Sequence, residues 1–222
     1  MKKILYIILL FVLGTGIYSC SDDDNKVSEV IVSNDTISLA INETKQLTNN
    51  IKECLWTSTN SLIASVDNGL VKGNHAGSAN IITMGREGRD TCCVIVNGTY
   101  NTYTEPYIVM NTDAATIKLK EKRTLSAESK DALLTYAGDN SNVLQVQYIL
   151  TKKKLTSITV KLAPALAEEA ANFLAERYSV YTKTDGTIEY INSDYLDIGT
   201  TIAATITSSA SSVVINYTLA TK

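Results

Sequence analysis

Uncharged apolar residues run unbroken from Ile4 to about Val12, behind Lys2 and Lys3 and ahead of a small-residue stretch that ends at Cys20 and Asp22-Asp23-Asp24. From Val27 to Asn97 the pattern is one of short alternations. Apolar positions recur every second residue in Val30-Val32, Ile37-Leu39-Ile41, Ile63 to Val66 and Cys92-Val94-Val96, the period of half-buried strands. Asn68-Gly69 separates Ser65-Val66-Asp67 from Leu70-Val71. Both central residues of a type I′ turn need positive φ, so this dipeptide predicts a tight hairpin. Gly73 and Gly77 bracket the next loop before a strand through Ala79 and Ile81. Several short antiparallel strands at this spacing predict an all-β sandwich over residues 27–98.

After a polar linker at residues 99–102 the pattern changes. A short strand is expected through Tyr107-Ile108-Val109-Met110, then capping residues Asn111-Thr112-Asp113 and a short helix over residues 114–122. Strand-like runs follow at residues 132–137, 142–150 and 155–162. Thr151-Lys152-Lys153-Lys154 forms the charged hairpin tip between the last two. Pro164 opens the clearest helix, with Leu166, Ala170, Phe173, Leu174 and Arg177 on one face and Glu168 and Glu169 near its positive end. Further strands are expected at residues 179–182, 187–191, 201–207 and 212–219. An antiparallel sheet with one main helix makes residues 103–222 an α+β domain. The chain is therefore multi-domain.

The basic, apolar and small-residue order at the start has the grammar of a secretory signal. Ile17-Tyr18-Ser19-Cys20 resembles a bacterial lipoprotein signal, which implies that residues 1–19 are removed and that Cys20 is lipidated. A transmembrane helix suits the segment poorly: about 15 apolar residues at 1.5 Å each span roughly 22 Å of a ~30 Å hydrocarbon core. Ser21-Asp22-Asp23-Asp24, within an acidic tether at residues 20–26, resembles the export signal of lipoproteins shown on the outer face of the outer membrane. The expected address is the outer membrane, lipid-anchored and facing the cell exterior, with the periplasmic face as the alternative.

The first domain resembles the bacterial immunoglobulin-like domain of group 2. The matching residues are Ile37-Ser38-Leu39, Glu43-Thr44-Lys45-Gln46-Leu47, Trp56-Thr57-Ser58, the run from Ile63 to Val71, and Gly77-Ser78-Ala79-Asn80-Ile81. The resemblance implies a spacer or adhesive module without its own catalysis. Trp56, the single tryptophan, is expected to fill the core. Cys54 shares parity with Trp56, and Cys92 with Val94 and Val96, so both should point inward and Cys93 outward. A Cys54–Cys92 disulfide is the favoured pairing; two buried reduced thiols are the alternative.

The full chain carries a net charge of −3, and loss of Lys2 and Lys3 takes it to −5, which excludes a basic nucleic-acid surface. His75, the only histidine, is expected to be solvated in its loop, and no metal, cofactor or His-based triad is expected. A small hydrolase would need a carboxylate pair, for which Glu189, Asp194 and Asp197 are the nearest candidates, with nothing in their spacing to pair them. Ten of the twelve tyrosines lie between Tyr100 and Tyr217, where they suit either half-buried strands or sugar stacking. The second domain resembles C-terminal domains that accompany such modules in surface lipoproteins, and that resemblance implies no activity. The sequence thus supports a non-catalytic surface lipoprotein whose second domain binds a glycan or an envelope or host protein. An accessory subunit of an envelope or nutrient-handling complex is the alternative.

Overall fold

Seven strands build the first domain: β1 (Thr36–Ala40), β2 (Thr44–Gln46), β3 (Leu55–Ser58), β4 (Ala64–Asp67), β5 (Leu70–Gly73), β6 (Gly77–Gly85) and β7 (Gly88–Asn97). The computed structural model describes residues 30–86 and 88–221; the leader, Cys20 and the acidic tether lie outside the described residues. The strands form two facing sheets, ordered β1-β7-β6-β3 and β2-β5-β4, with β1 parallel to β7. Between them Ile37, Leu39, Leu47, Val71, Ile81 and Val94 are buried. Asn68 and Gly69 both take positive φ and close the β4–β5 hairpin as expected. Only glycine fits at residue 69, because a Cβ there would meet the Leu47 carbonyl oxygen at 2.4 Å.

Two expectations about this core are corrected. Trp56 is half-buried at its rim, because β3 is an edge strand and aliphatic side chains fill the centre. Cys54 and Cys92 form no disulfide, and Cys54, Cys92 and Cys93 are all free thiols. The register explains why. Cys92 pairs with Ile81, and Ile81 with Ser58, four residues along β3 from Cys54 and two strands across. At ~3.3 Å per residue and ~4.8 Å per strand the two are on the order of 15 Å apart, against the ~7 Å limit for a bridge. Cys54 Sγ instead accepts a hydrogen bond from Asn49 Nδ2 at 2.7 Å. Cys92 does point inward, fully buried, and burial raises its thiol pKa.

The second domain contains α1 (Ala114–Lys120), β8 (Leu133–Ala137), β9 (Val143–Thr151), β10 (Lys154–Leu162), a 3-10 turn at Pro164–Leu166, α2 (Ala167–Ala175), β11 (Ser179–Thr182), β12 (Ile188–Ile191), β13 (Ile202–Ser208) and β14 (Val213–Leu219). Its strands form one antiparallel sheet ordered β11-β12-β13-β14-β10-β9-β8. The expected α+β balance shifts toward β, because α1 has seven residues and α2 nine against seven strands. After the β8-β9-β10 meander, α2 carries the chain across to the far edge, and β11 to β14 return to pair with β10. Ala170, Phe173 and Leu174 seal α2 onto the buried face, beside Tyr148, Ile158, Val160, Ile215 and Tyr217. The expected strand at residues 107–110 is irregular instead. Its Tyr107 N–H is taken by the Tyr148 hydroxyl at 2.8 Å rather than by a neighbouring strand.

The charged hairpin tip is confirmed, with strain at its apex. Lys152 and Lys153 have φ of 50° and 65°, which asparagine and glycine tolerate far better. The double substitution Lys152→Asn and Lys153→Gly is expected to stabilise the second domain by about 1 kcal/mol. Tyrosine near-UV circular dichroism during thermal unfolding would register it as a Tm higher by several degrees.

The expected linker at residues 99–102 is, with Asn97 and Gly98 before it, a hydrogen-bonded joint. Glu176, the residue that caps the C-terminus of α2, accepts at its carboxylate from Thr99 N (2.8 Å) and Tyr100 N (3.0 Å). Its carbonyl accepts from Ala76 N of the first domain at 2.6 Å. Arg177 Nη2 donates to the Tyr100 carbonyl at 3.1 Å, and the buried Thr102 donates to Glu169 at 3.0 Å. The chain passes so close to Glu176 that a Cβ at Gly98 would lie 2.6 Å from its carboxylate.

Candidate functional site

The cleft that concentrates chemistry lies in the second domain, at the ends of elements rather than on the sheet. It is formed by the irregular segment from Thr104 to Tyr107, the residues from Lys120 to Thr124 that follow α1, and the turn at Gly138 and Asp139 after β8. Its volume is about 580 Å³. The placement follows from local structure. Asp113 caps α1 by accepting from Thr116 N at 2.9 Å, and the buried Ile117 pins the helix to the core. The helix then stops at Glu121, whose backbone N–H still reaches the Ile117 carbonyl. Glu121 and Arg123 are thereby delivered to the cleft floor.

Arg123 is the hub of that floor. Its Nη1 donates to both oxygens of Glu121, at 2.9 and 3.0 Å, and its Nη2 donates to Asp139 Oδ2 at 3.2 Å and to the Thr104 carbonyl. Both partners of the inner pair are buried, with side chains 5% and 4% exposed. The Tyr148 hydroxyl also donates to Glu121. Burial opposes ionisation of Glu121, but the bonds from Tyr148 and Arg123 and the nearby positive charge outweigh it and leave its pKa below the usual carboxylate range. The same opposition, with Thr104 and Arg123 as the winning partners, lowers Asp139. Burial and the bond to Glu121 drive the Tyr148 pKa far upward, so its hydroxyl stays protonated and donating. Two buried polar atoms have no hydrogen-bond partner among the described residues in this region: Arg123 Nε and the Tyr136 hydroxyl.

Glu105 lines the same cleft and behaves in the opposite way. It accepts from the Tyr178 hydroxyl, and burial raises its pKa above that of an ordinary glutamate. Behind it Tyr103 and Tyr217 share a hydrogen bond between hydroxyls, and Phe173 packs on Tyr103 with ring centroids 4.3 Å apart. A raised folded pKa means the ionised form is the penalised one. That penalty is present above the folded pKa and absent below the unfolded value. Glu105→Gln keeps an oxygen for Tyr178 while removing the charge, so it is expected to raise Tm at pH 8 and to leave it unchanged at pH 3.5. Thermal scans of both proteins across that range provide the check; equal curves at pH 8 would mean that Glu105 is not penalised.

The carboxylates singled out from the sequence do not converge. Glu189 is buried on β12 and paired with Lys183 at 3.0 Å. Asp194 and Asp197 border a different, shallow groove of about 440 Å³ at the edge of the first domain, where Asp197 accepts from Thr200 at 2.7 Å. His75, expected to be solvated, is half-buried and bonded through Nδ1 to the Leu62 carbonyl at 2.8 Å. Glu105, Glu121, Arg123 and Asp139 went unnoticed in the sequence. The one available signal was a charged Glu-Lys-Arg run directly after an apolar helical stripe.

Two sheets packed face to face, a β1 strand parallel to β7 and a tight Asn-Gly hairpin define the first domain. Residues 26–96 match the bacterial Ig-like domain (group 2) family. The Ig-like domain therefore covers the first sandwich, ends within β7 and leaves the cleft outside it. Such a module suggests adhesion or spacing. No curated protein matches the chain.

Proposed function

We propose that this chain is a non-catalytic lipoprotein of the bacterial cell surface, anchored at Cys20, in which the Ig-like domain is a rigid spacer and the second domain is the binding end. The observation that carries this reading is the joint at Glu176. One glutamate holds Ala76 of the Ig-like domain, Thr99 and Tyr100 of the connection, and the end of α2. A spacer that presents a binding domain at a fixed orientation needs this kind of coupling, whereas two independent modules on a string do not. The lipoprotein-like start supports the address, and the dispersal of Glu189 from Asp194 and Asp197 fits a role without hydrolysis. In intact cells the full chain should incorporate labelled fatty acid, and a protease added outside should degrade its second domain. Cys20→Ala should abolish the label and release the chain from membranes. Unlipidated chain that retains Met1 in the cytosol would contradict the proposal.

The accessory-subunit reading is favoured by one feature, the open edge strand β11. Val180 on β11 and Ile188 on β12 are 57% and 50% exposed beside the outer edge of β11, which among the described residues pairs with β12 alone. It predicts co-purification with other envelope proteins in mild detergent; a lone monomer there would argue against it.

A further inference from the structure

We propose that the outer edge of β11 pairs with the same strand of a second copy of this chain, joining two seven-stranded sheets into one across a two-fold axis at Tyr181. Such pairing needs neither the lipid anchor nor a ligand, and so stands apart from the surface-lipoprotein reading. The two edges of the sheet are finished differently. At β8 the preceding chain closes the ladder: Ser126 N donates to the Thr135 carbonyl at 2.7 Å, Ala137 N to the Thr124 carbonyl at 2.9 Å, and Thr135 N to Ser129 Oγ at 2.9 Å. At β11 the described residues provide no such cover, and Ser179-Val180-Tyr181-Thr182 contains no proline and no charge and pairs with β12 without a bulge. Those devices are what keep an edge strand from pairing with its own kind, and β11 lacks all of them.

The register of the β11–β12 hairpin fixes which groups face outward. Lys183 N donates to the Thr187 carbonyl at 2.8 Å, so those two form a hydrogen-bonded pair. Bonded and non-bonded pairs alternate along an antiparallel ladder. Tyr181–Glu189 and Ser179–Ile191 are therefore bonded pairs, and Val180 and Thr182 turn their N–H and C=O groups away from β12. Both residues are exposed. With Tyr181 set opposite Tyr181 of an antiparallel second copy, Val180 falls opposite Thr182 in both directions, and every outward N–H meets an outward carbonyl. A shift of two residues either way breaks that match. Side chains fit the same register. Lys183 falls opposite Ser179 and is held within its own copy by Glu189 at 3.0 Å, so no like charges oppose each other. On one face the row Tyr190–Val180 of one copy continues into Thr182–Ile188 of the other, which brings the exposed Val180 and Ile188 to either side of one threonine. On the other face Tyr181 meets its own copy as a cross-strand aromatic pair. So short an edge makes a weak, reversible dimer.

The test is sedimentation velocity of the full chain in mild detergent, from about 1 µM to about 1 mM. Monomer should convert to dimer as concentration rises. Val180→Pro removes an outward N–H that β12 does not use, and Tyr181→Lys sets like charges face to face. Each should weaken dimerisation at least tenfold while tyrosine-detected unfolding stays cooperative. Cysteine cross-linking reads the register. In Tyr181→Cys the paired Cα atoms stand about 4.5 Å apart, within bridging range, whereas in Val180→Cys they stand roughly 7–8 Å apart, beyond it. With copper(II) as oxidant, which takes the two electrons while two protons go to water, Tyr181→Cys should give at least tenfold more covalent dimer than the wild type and Val180→Cys should give no excess. A monomer at every concentration overturns the pairing. A dimer that Val180→Pro and Tyr181→Lys both leave unchanged belongs to another surface and overturns the edge. Cross-linking through Val180→Cys instead overturns the register and its two-fold axis. A monomer that captures another envelope protein through β11 overturns self-pairing and spares the accessory-subunit reading.

Discussion

Glu121→Ala is expected to destabilise the second domain by about 3–5 kcal/mol, the range for removing one partner of a buried ion pair. Three losses coincide at this position. The guanidinium of Arg123, with its side chain 5% exposed, keeps its charge but loses both bonds to the carboxylate. The Tyr148 hydroxyl loses its acceptor, although Tyr107 N still donates to it. The turn after α1 also loosens, because Glu121 Oε1 accepts from Lys122 N and Arg123 N at 2.9 and 3.0 Å. The chain carries its own probes for this experiment. Trp56 is the only tryptophan and sits in the Ig-like domain, while all ten tyrosines after residue 99 lie beyond it. Urea unfolding followed by both signals should show the tyrosine transition moving to much lower denaturant. A tyrosine midpoint within experimental error of the wild type would mean that the pair contributes nothing.

Phe173→Ala should have an effect of similar size, about 3–5 kcal/mol for an emptied aromatic site, with a second consequence at the joint. The ring is 1% exposed, packs on Tyr103 at 4.3 Å and lies under the Arg177 guanidinium at 3.6 Å. Arg177 is the residue that holds the Tyr100 carbonyl. Its removal from the ring therefore frees a cation–π partner and loosens the connection between domains. In the wild type the tyrosine and tryptophan transitions should be partly coupled. In Phe173→Ala they should separate, with the tyrosine signal lost first. Coincident transitions in the variant would show that the ring has no part in the coupling.

Short-range chemistry was legible in the sequence, and long-range assembly was not. Asn68-Gly69, Pro164 and the lysine tip each announce a local backbone requirement, and each produces the element it predicts. Period-two alternation placed Cys92, Val94 and Val96 inward correctly. β2 escaped notice because Thr44, Lys45 and Gln46 are all exposed and show no apolar alternation. Parity alone also misled. It told which face Cys54 and Cys92 point to but not how far apart the register would set them, and it could not see that β3 lies at an edge. The cleft was invisible for a related reason. Glu105, Glu121 and Asp139 are far apart in sequence and have no motif spacing, and only the β8–β9 turn and the end of α1 bring them around Arg123. The connection at residues 97–102 looked like a linker because its composition is polar, yet its backbone groups are claimed by Glu176 and Arg177.

Backbone ¹⁵N relaxation of the full chain tests most directly whether the joint at Glu176, at the end of α2, makes a single stiff body of two domains. Amides of the Ig-like sandwich and of the seven-stranded sheet should report the same rotational correlation time, and Glu176→Ala, which removes the bonds to Thr99 N and Tyr100 N while the backbone bond to Ala76 N stays, should make the two values diverge. Two distinct correlation times in the wild-type chain would contradict the rigid spacer.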